Sequence, residues 1–117
     1  MSSGTIVRKP LLNAAIDGRR VAAVDVREIS FEPGQKTGRH LHPCPVLGYV
    51  AEGAAILQIE GQPDQELRAG SAFYEPADTV IARFDNASSS ERMRFIAYYL
   101  LEGNEALIEM LPELGAV

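Results

Sequence analysis

The sequence lacks several features that would define other classes of protein. It has a single cysteine, Cys44, which excludes an intramolecular disulfide framework and a zinc site made of cysteines alone, because structural zinc takes four ligands. No run approaches the ~20 apolar residues that span a bilayer, and the N-terminal residues lack the apolar core of a signal peptide. We therefore expect a cytoplasmic protein without a membrane partner.

Positive charge is scarce too. The 117 residues include 11 Lys+Arg against 16 Asp+Glu, which gives a net charge of −5 with both histidines neutral. No basic stripe is present to neutralise phosphates, so we expect a small-molecule ligand rather than nucleic acid. With 46% hydrophobic and 23% charged residues, the composition is typical of one globular domain.

Long helical patterns are also missing, because ten glycines and seven prolines divide the chain into short runs. These runs are rich in β-branched and aromatic residues and end at turn residues, which predicts strands. The predicted strands are 20–31, 38–42, 46–50, 54–60, 71–75, 79–84 and 92–101. Short strands at this spacing predict an all-β sandwich or barrel, while segment 104–111 fits either a helical turn or a last strand.

Alternation in two predicted strands assigns side chains to the core, because successive residues of a strand point to opposite faces. The predicted core residues are Ala55, Leu57 and Ile59 in one strand and Met93, Phe95, Ala97, Tyr99 and Leu101 in the other. Strand 71–75 is ambiguous, since Phe73 and Glu75 share one face while Ala72 and Tyr74 share the other. One of these pairs lines the interior, and alternation does not say which.

Both histidines of the chain, His40 and His42, lie two residues apart in one predicted strand. This spacing puts the imidazoles on one face, with Cα atoms about 6.5–7 Å apart. Neutral imidazole suits Zn, Fe, Ni, Cu and Mn, but a transition metal normally takes a third protein ligand. Two ordinary half-buried histidines would give the same spacing, so the pair alone does not establish a metal site.

The spacing around the histidines resembles the first motif of the small single-domain cupins. That motif has a glycine, five residues, HxH, three or four residues, a glutamate, six residues and a glycine. In this chain Gly34, His40, His42 and Gly53 keep the register, and Val46 stands at the glutamate position. The first motif is therefore present without its carboxylate.

The second cupin motif has a glycine, five residues, Pro-x-Gly, two residues, a histidine, three residues and an asparagine. Here Gly70 and Pro76 keep the register, while Ile81 stands at the histidine position and Asp85 at the asparagine position. The resemblance implies an antiparallel jelly-roll barrel and a homodimer. We expect the barrel to span residues 20–117 and residues 1–19 to form an N-terminal segment with an edge strand.

Compared with the resembled family, Val46 and Ile81 remove two of the four usual metal ligands and leave only the two histidines. Glu75 and Cys44 are candidate replacements, because a carboxylate or a thiolate would complete a metal site. The prolines on both sides of Cys44 hold it away from the histidine strand, which argues against the thiol. Glu75 depends on which face of its strand turns inward.

Two further residues are candidates for ligand binding. If Ile81 faces the barrel interior, alternation puts Arg83 on the same face, where its charge would pair with a carboxylate ligand or with Glu75. A strand bulge would instead turn Arg83 to solvent. Tyr99 adds a hydroxyl, although a tyrosine in a β core is more often a packing residue.

Two functions therefore stay open from the sequence. The one we favour is a barrel that binds a small ligand, with carboxylates among the candidates, and has at most a weak two-histidine metal site. The alternative is a metal-dependent cupin enzyme of the oxygenase or isomerase type, with a non-standard third ligand and divalent Zn, Fe, Mn or Ni. The candidate ligand-binding residues are His40, His42, Arg83, Glu75 and Tyr99, and the candidate metal ligands are His40 and His42.

Overall fold

The computed structural model describes residues 4–16 and 18–114. Within these ranges the chain forms nine strands: β1 (Ala23–Phe31), β2 (His40–Leu41), β3 (Val46–Glu52), β4 (Ala54–Ile59), β5 (Gln65–Arg68), β6 (Ala72–Glu75), β7 (Ile81–Asn86), β8 (Met93–Leu101) and β9 (Glu109–Met110). Gly34 and Gly53 lie in turns between strands with φ of 73° and 76°. Glycine adopts this left-handed conformation without the steric penalty of a Cβ.

The strands pair into two antiparallel sheets. Sheet 1 has the order β1-β8-β3-β6, and sheet 2 has the order β5-β4-β7-β2-β9. The two sheets are hydrogen-bonded separately, so the molecule is a jelly-roll sandwich whose sheets do not close into one continuous barrel. The predicted all-β antiparallel class is confirmed.

Side chains from both sheets meet in one apolar core, and the alternation predicted for β4 and β8 is confirmed. Ala55, Leu57, Met93, Phe95, Ala97 and Tyr99 are buried, and Ile59 and Leu101 pack against them partly buried. In β6 the buried pair is Phe73 and Glu75, whereas Ala72 and Tyr74 are only half-buried. The ambiguous strand therefore turns its carboxylate inward.

One short strand lies outside the predicted set, and another decides between the two alternatives for segment 104–111. β5 reads QELR and buries only Leu67, so its sequence shows little apolar alternation. β9 shows that segment 104–111 contains a last strand, paired with β2. The edge strand expected in residues 1–19 is not found in the described residues 4–16 and 18–19, and β1 forms that edge of sheet 1 instead.

The outer face of sheet 1 carries exposed apolar side chains. Val24 and Val26 on β1 are about half exposed, and Tyr98 on β8 is partly exposed beside the extended segment that carries Leu11 and Leu12. The expected homodimer stays a prediction. Among the described residues, no helix is long and apolar enough to cross a membrane.

Candidate metal centre

The two histidines lie on the inner side of sheet 2. His40 begins β2 and His42 follows it, with Leu41 between them. Their side chains are buried and their ring centroids are 5.0 Å apart. Both rings line one interior cavity of about 230 Å³. This is the arrangement expected when residues i and i+2 of an extended segment share a face.

Two backbone carbonyls fix the orientation of the rings. His40 Nδ1 donates to the carbonyl of Gly38 at 2.7 Å, and His42 Nδ1 donates to that of Leu107 at 2.8 Å. A carbonyl only accepts, so each Nδ1 carries a proton and each neutral ring keeps its lone pair on Nε2. Metal-binding histidines are commonly oriented by such a bond. Both Nε2 atoms are therefore set up as metal ligands.

Glu75 reaches the histidines from the opposite sheet. Its Oε1 lies 3.2 Å from His42 Nε2. On the β3–β6 ladder Glu75 pairs directly with Val46, the residue at the cupin glutamate position, and directly paired residues have Cβ atoms about 5 Å apart. The neighbouring strand therefore brings a carboxylate next to the position where the first motif lacks one.

The contact between His42 and Glu75 needs a shared proton or a metal ion. With Nδ1 protonated, the Nε2 of neutral His42 and the Oε1 of an ionised Glu75 are both acceptors, so a proton or a metal ion has to lie between them. Burial opposes the charged imidazolium of His42, but the hydrogen bond to Glu75 and its charge outweigh burial and raise the pKa of His42. At His40 burial dominates and lowers the pKa.

The three side chains fit a divalent transition metal. The candidate ligand atoms of His40, His42 and Glu75 all lie within 4.8 Å of one another, and atoms that bind one ion at about 2.0–2.2 Å are about 3–4 Å apart. Glu75 Oε2 is buried and has no hydrogen-bond partner among the described residues. Two imidazoles and a carboxylate suit zinc, iron, manganese and nickel.

Tyr99 flanks this cluster on sheet 1. Val46 pairs with Glu75 on one side and with Tyr99 of β8 on the other, so the three residues form one row across the sheet. The Tyr99 ring lies 5.8 Å from that of His42. Burial, followed by the charge of Glu75, raises the pKa of Tyr99. Its hydroxyl therefore stays protonated and can donate a hydrogen bond.

Arg83 does not join the cluster, so its candidate role in ligand binding is not supported, and of the two positions left open by the sequence the structure shows the bulged one. Between Ile81 and Arg83 the register with β4 shifts and leaves Ala82 as an extra residue, so a bulge interrupts the alternation. The Arg83 guanidinium pairs with Asp85 at 2.8 Å and with Asp64 at 3.4 Å. Arg83 is absent from the described residues that line the cavity.

Ile81 and Cys44 take different places in the core. Ile81 is fully buried and pairs directly with His40 across β2 and β7, so the second-motif position lies beside the histidines as the resemblance implies. Cys44 is fully buried, and burial raises the pKa of its thiol. Among the described residues, the candidate metal group contains Glu75 and the histidines but not Cys44.

One wall of the cavity is aromatic, and the sequence patterns gave none of its phenylalanines a role in the site. Phe31, Phe84 and Phe95 line it, with ring centroids 4.9 to 6.3 Å apart. Phe73 packs behind two of these rings, on top of Gly48, where an added Cβ would overlap the Phe73 ring. The available signal was that every phenylalanine of the chain lies in a predicted strand.

A comparison with known protein families identifies the family of this chain. Residues 27–104 match the family described as Cupin domain. The chain belongs to the cupins. The matched region contains both histidines of this cupin, Glu75 and Tyr99, so the candidate metal centre lies inside the family domain.

Solved structures agree on the fold. The cupin is similar to a cupin-like protein from Thermotoga maritima, with 25% identity, a TM-score of 0.66 and coverage of 78% of this chain and 66% of that one. It is also similar to the DMSP lyase DddQ from Ruegeria pomeroyi (15% identity, TM-score 0.67, coverage 80% and 45%) and to an oxalate oxidase (22%, 0.65, 76% and 46%). This cupin spans less than half of the last two chains. No curated protein sequence matches it significantly.

Proposed function

We propose that this cupin binds one divalent transition metal through His40, His42 and Glu75 and holds a small organic ligand beside the metal. The position of Glu75 carries the proposal, because its Oε1 lies 3.2 Å from His42 Nε2 and its Oε2 is buried with no partner in the described residues. Glu75 supplies the third ligand that a two-histidine site lacks. The geometry thus favours the metal-dependent alternative over the two-histidine ligand-binding barrel.

The donor set also indicates a class of chemistry. Two histidines and one carboxylate that leave coordination positions open are typical of non-haem ferrous oxygenases, and we place the activity of this cupin in that class. A bound metal would act as a Lewis acid and bind small reactants at its open positions.

The residues of the chain have their own roles in this proposal. The carbonyls of Gly38 and Leu107 hold the two imidazoles in position, so metal binding needs little rearrangement. Tyr99 keeps its proton and donates a hydrogen bond to an anionic group of the ligand. The apolar cavity walls exclude water from the site.

Metal content tests the proposal. We expect protein purified without chelator or a nickel column to contain close to one transition-metal ion per chain by plasma mass spectrometry. Glu75→Gln should lose most of this metal, because an amide is a poorer ligand than a carboxylate. The matched control is Glu66→Gln on β5, whose carboxylate is half exposed and should not affect metal content.

The outcomes separate the two candidate functions. If the wild-type protein takes up no Fe²⁺, Zn²⁺, Mn²⁺ or Ni²⁺ at saturating concentration, the metal proposal fails and the ligand-binding barrel is favoured. If Glu75→Gln binds metal as tightly as wild type, Glu75 is not a ligand.

Oxygen uptake tests the oxygenase class separately. The ferrous protein is mixed with one-ring phenols in an oxygen electrode, and uptake that depends on the phenol and disappears in Glu75→Gln supports the class. Absence of uptake in protein loaded with one ferrous ion per chain would reject oxygenation of these phenols and leave metal binding intact.

A further inference from the structure

The cavity has two chemically different ends. The polar end is formed by His40, His42, Glu75 and Tyr99. The aromatic end is formed by Phe31, Phe84 and Phe95, with Ile29 paired to Phe95 beside them. Thr37 also lines the cavity, but its hydroxyl donates to the Phe84 carbonyl at 2.7 Å. Among the described lining residues, the ionisable side chains are therefore at the polar end.

Positive side chains are missing from the cavity. Among its lining residues in the described part of the chain, none is lysine or arginine. Nearby arginines are engaged elsewhere, since Arg83 pairs with Asp85 at 2.8 Å and Arg39 pairs with Glu60 at 2.6 Å. A metal ion at the polar end is therefore the cation available to a ligand in this cavity.

Charge balance limits the ligand to one anionic group. A divalent ion beside the Glu75 carboxylate leaves one net positive charge, which one phenolate or carboxylate neutralises. A second carboxylate would lie against the aromatic end without a partner, and burial of an unpaired charge is strongly unfavourable. Dicarboxylic acids should therefore bind poorly.

The volume of the cavity limits the ligand to about one ring. The cavity measures about 230 Å³, and an engineered apolar cavity of about 150 Å³ holds benzene. The space at the aromatic end thus accommodates one six-membered ring with small substituents. The rings of Phe31, Phe84 and Phe95 offer edges and faces for stacking against such a ligand.

We propose that this cupin takes a one-ring apolar ligand with a single oxygen donor, a phenol or a monocarboxylic acid, whose donor points to the polar end and whose ring packs against the aromatic end. This ligand class rests on the proposed metal centre. The cavity selects against molecules that carry charge at both ends.

Two probes with the same ring test the ligand class. Benzoate carries one carboxylate, and terephthalate carries a second carboxylate at the far end of the ring. In calorimetric titrations of the zinc-loaded protein we expect benzoate and phenol to bind, and terephthalate to bind at least tenfold more weakly than benzoate. Removal of zinc should weaken benzoate binding at least tenfold.

A variant of an exposed lining residue tests whether the ligand binds in this cavity. Ile108 lines the cavity and is 40% exposed, so Ile108→Trp can fold while its indole takes space from the ligand. We expect at least a tenfold loss of benzoate affinity with one zinc ion per chain retained. The control is Val24→Trp on the outer face of sheet 1, where the side chain is similarly exposed.

Each failure has a distinct meaning. Equal affinity for benzoate and terephthalate overturns the ligand class, and so does absence of benzoate and phenol binding in protein that holds one zinc ion per chain. Unchanged benzoate affinity in Ile108→Trp would show that benzoate does not bind in this cavity. Failure of the wild-type protein to bind zinc overturns the proposed metal function itself.

Discussion

The polar end and the aromatic end of the cavity are built on opposite principles. At the polar end, His42 follows β2 of one sheet and Glu75 lies on β6 of the other, and they meet through a directional contact that needs a shared proton or a metal ion. At the aromatic end, phenylalanines from β1, β7 and β8 meet through non-directional ring contacts. Buried apolar rings stabilise a fold, whereas buried ionisable groups weaken it unless paired. The aromatic end therefore contributes mainly to the stability of the fold, and the polar end mainly to recognition.

The largest expected effect is a loss of stability at the aromatic end. Phe95 is 7% exposed and packs against Phe31, Phe73 and Phe84. Phe95→Ala should lower the free energy of unfolding by about 3–5 kcal/mol, because it leaves a cavity in the core. Urea denaturation measures this, and the metal content should stay unchanged.

An outward-facing residue of the same strand, Tyr98, provides a control for Phe95→Ala. Tyr98 points outward and is 37% exposed, so Tyr98→Ala should reduce stability by about 1 kcal/mol or less. If Phe95→Ala lost its metal under conditions where it remains folded, metal binding at the polar end would depend on packing at the aromatic end.

At the polar end we expect a large loss of metal affinity and a small loss of stability. His40→Ala should weaken zinc binding at least a hundredfold, about 2.7 kcal/mol, because one of three ligands is lost. The metal-free protein should lose only about 1–2 kcal/mol of stability, since the main change is an unpaired Gly38 carbonyl. Zinc calorimetry and urea denaturation of the metal-free protein give the two values. Comparable losses in both would identify His40 as a packing residue.

A substitution at Ile81 should instead raise the metal affinity of the polar end. Ile81 pairs directly with His40, so Ile81→His brings a third imidazole to the polar end. Zinc affinity should rise at least tenfold, about 1.4 kcal/mol, while the metal-free variant loses about 1–3 kcal/mol of stability because a buried aliphatic side chain becomes polar. Added zinc should recover this stability, since zinc binds only the folded state.

Ile81→Asn provides the control for Ile81→His, because it adds polarity without an imidazole. Zinc affinity that is equal in the two variants would show that the side chain at position 81 does not reach the metal.

The pKa of His42 depends on its interaction with the Glu75 carboxylate. The hydrogen bond and charge of Glu75 hold this pKa above 6.5 in the metal-free protein against the effect of burial. The pairing therefore stabilises the fold below pH 6.5, and this contribution is lost as the pH rises through the folded-state pKa. Glu75→Gln leaves burial unopposed by the carboxylate, so NMR titration should show the His42 pKa falling. An unchanged pKa would place the Glu75 carboxylate out of contact.

The smallest expected effect is at Arg83. A carboxylate-binding role for Arg83 required an inward side chain, whereas the bulge at Ala82 directs it to Asp85 and Asp64. Arg83→Leu should leave benzoate affinity of the zinc-loaded protein within a factor of two. A loss of tenfold or more would show that the guanidinium enters the cavity when ligand binds.

Most of the fold was predictable from local patterns. Turn glycines such as Gly34 and Gly53 mark the ends of strands, and the period-two alternation of β8 identifies its core face. β5 escaped prediction because its four residues bury a single leucine. Local patterns fail where a strand contributes little to the core.

The candidate site was predictable only in part, because it depends on long-range pairing. The HxH spacing placed His40 and His42 on one face. Glu75 could not be placed, since its contact with His42 depends on the pairing of β6 with β3 and on the distance between the two sheets. The Leu107 carbonyl lies 65 residues from His42 and leaves no mark in the sequence. A bulge at Ala82 removed the period-two basis for placing Arg83.

Gly48, beneath the ring of Phe73, has a consequence for the evolution of this cupin. A glycine codon becomes an alanine codon by a single base change, and the new methyl group would force Phe73 towards Phe84 and Phe95. The volume left for a ligand would change while the metal-binding residues stayed as they are. The shape of the cavity is thus set in part by the missing side chain of a residue that does not line it.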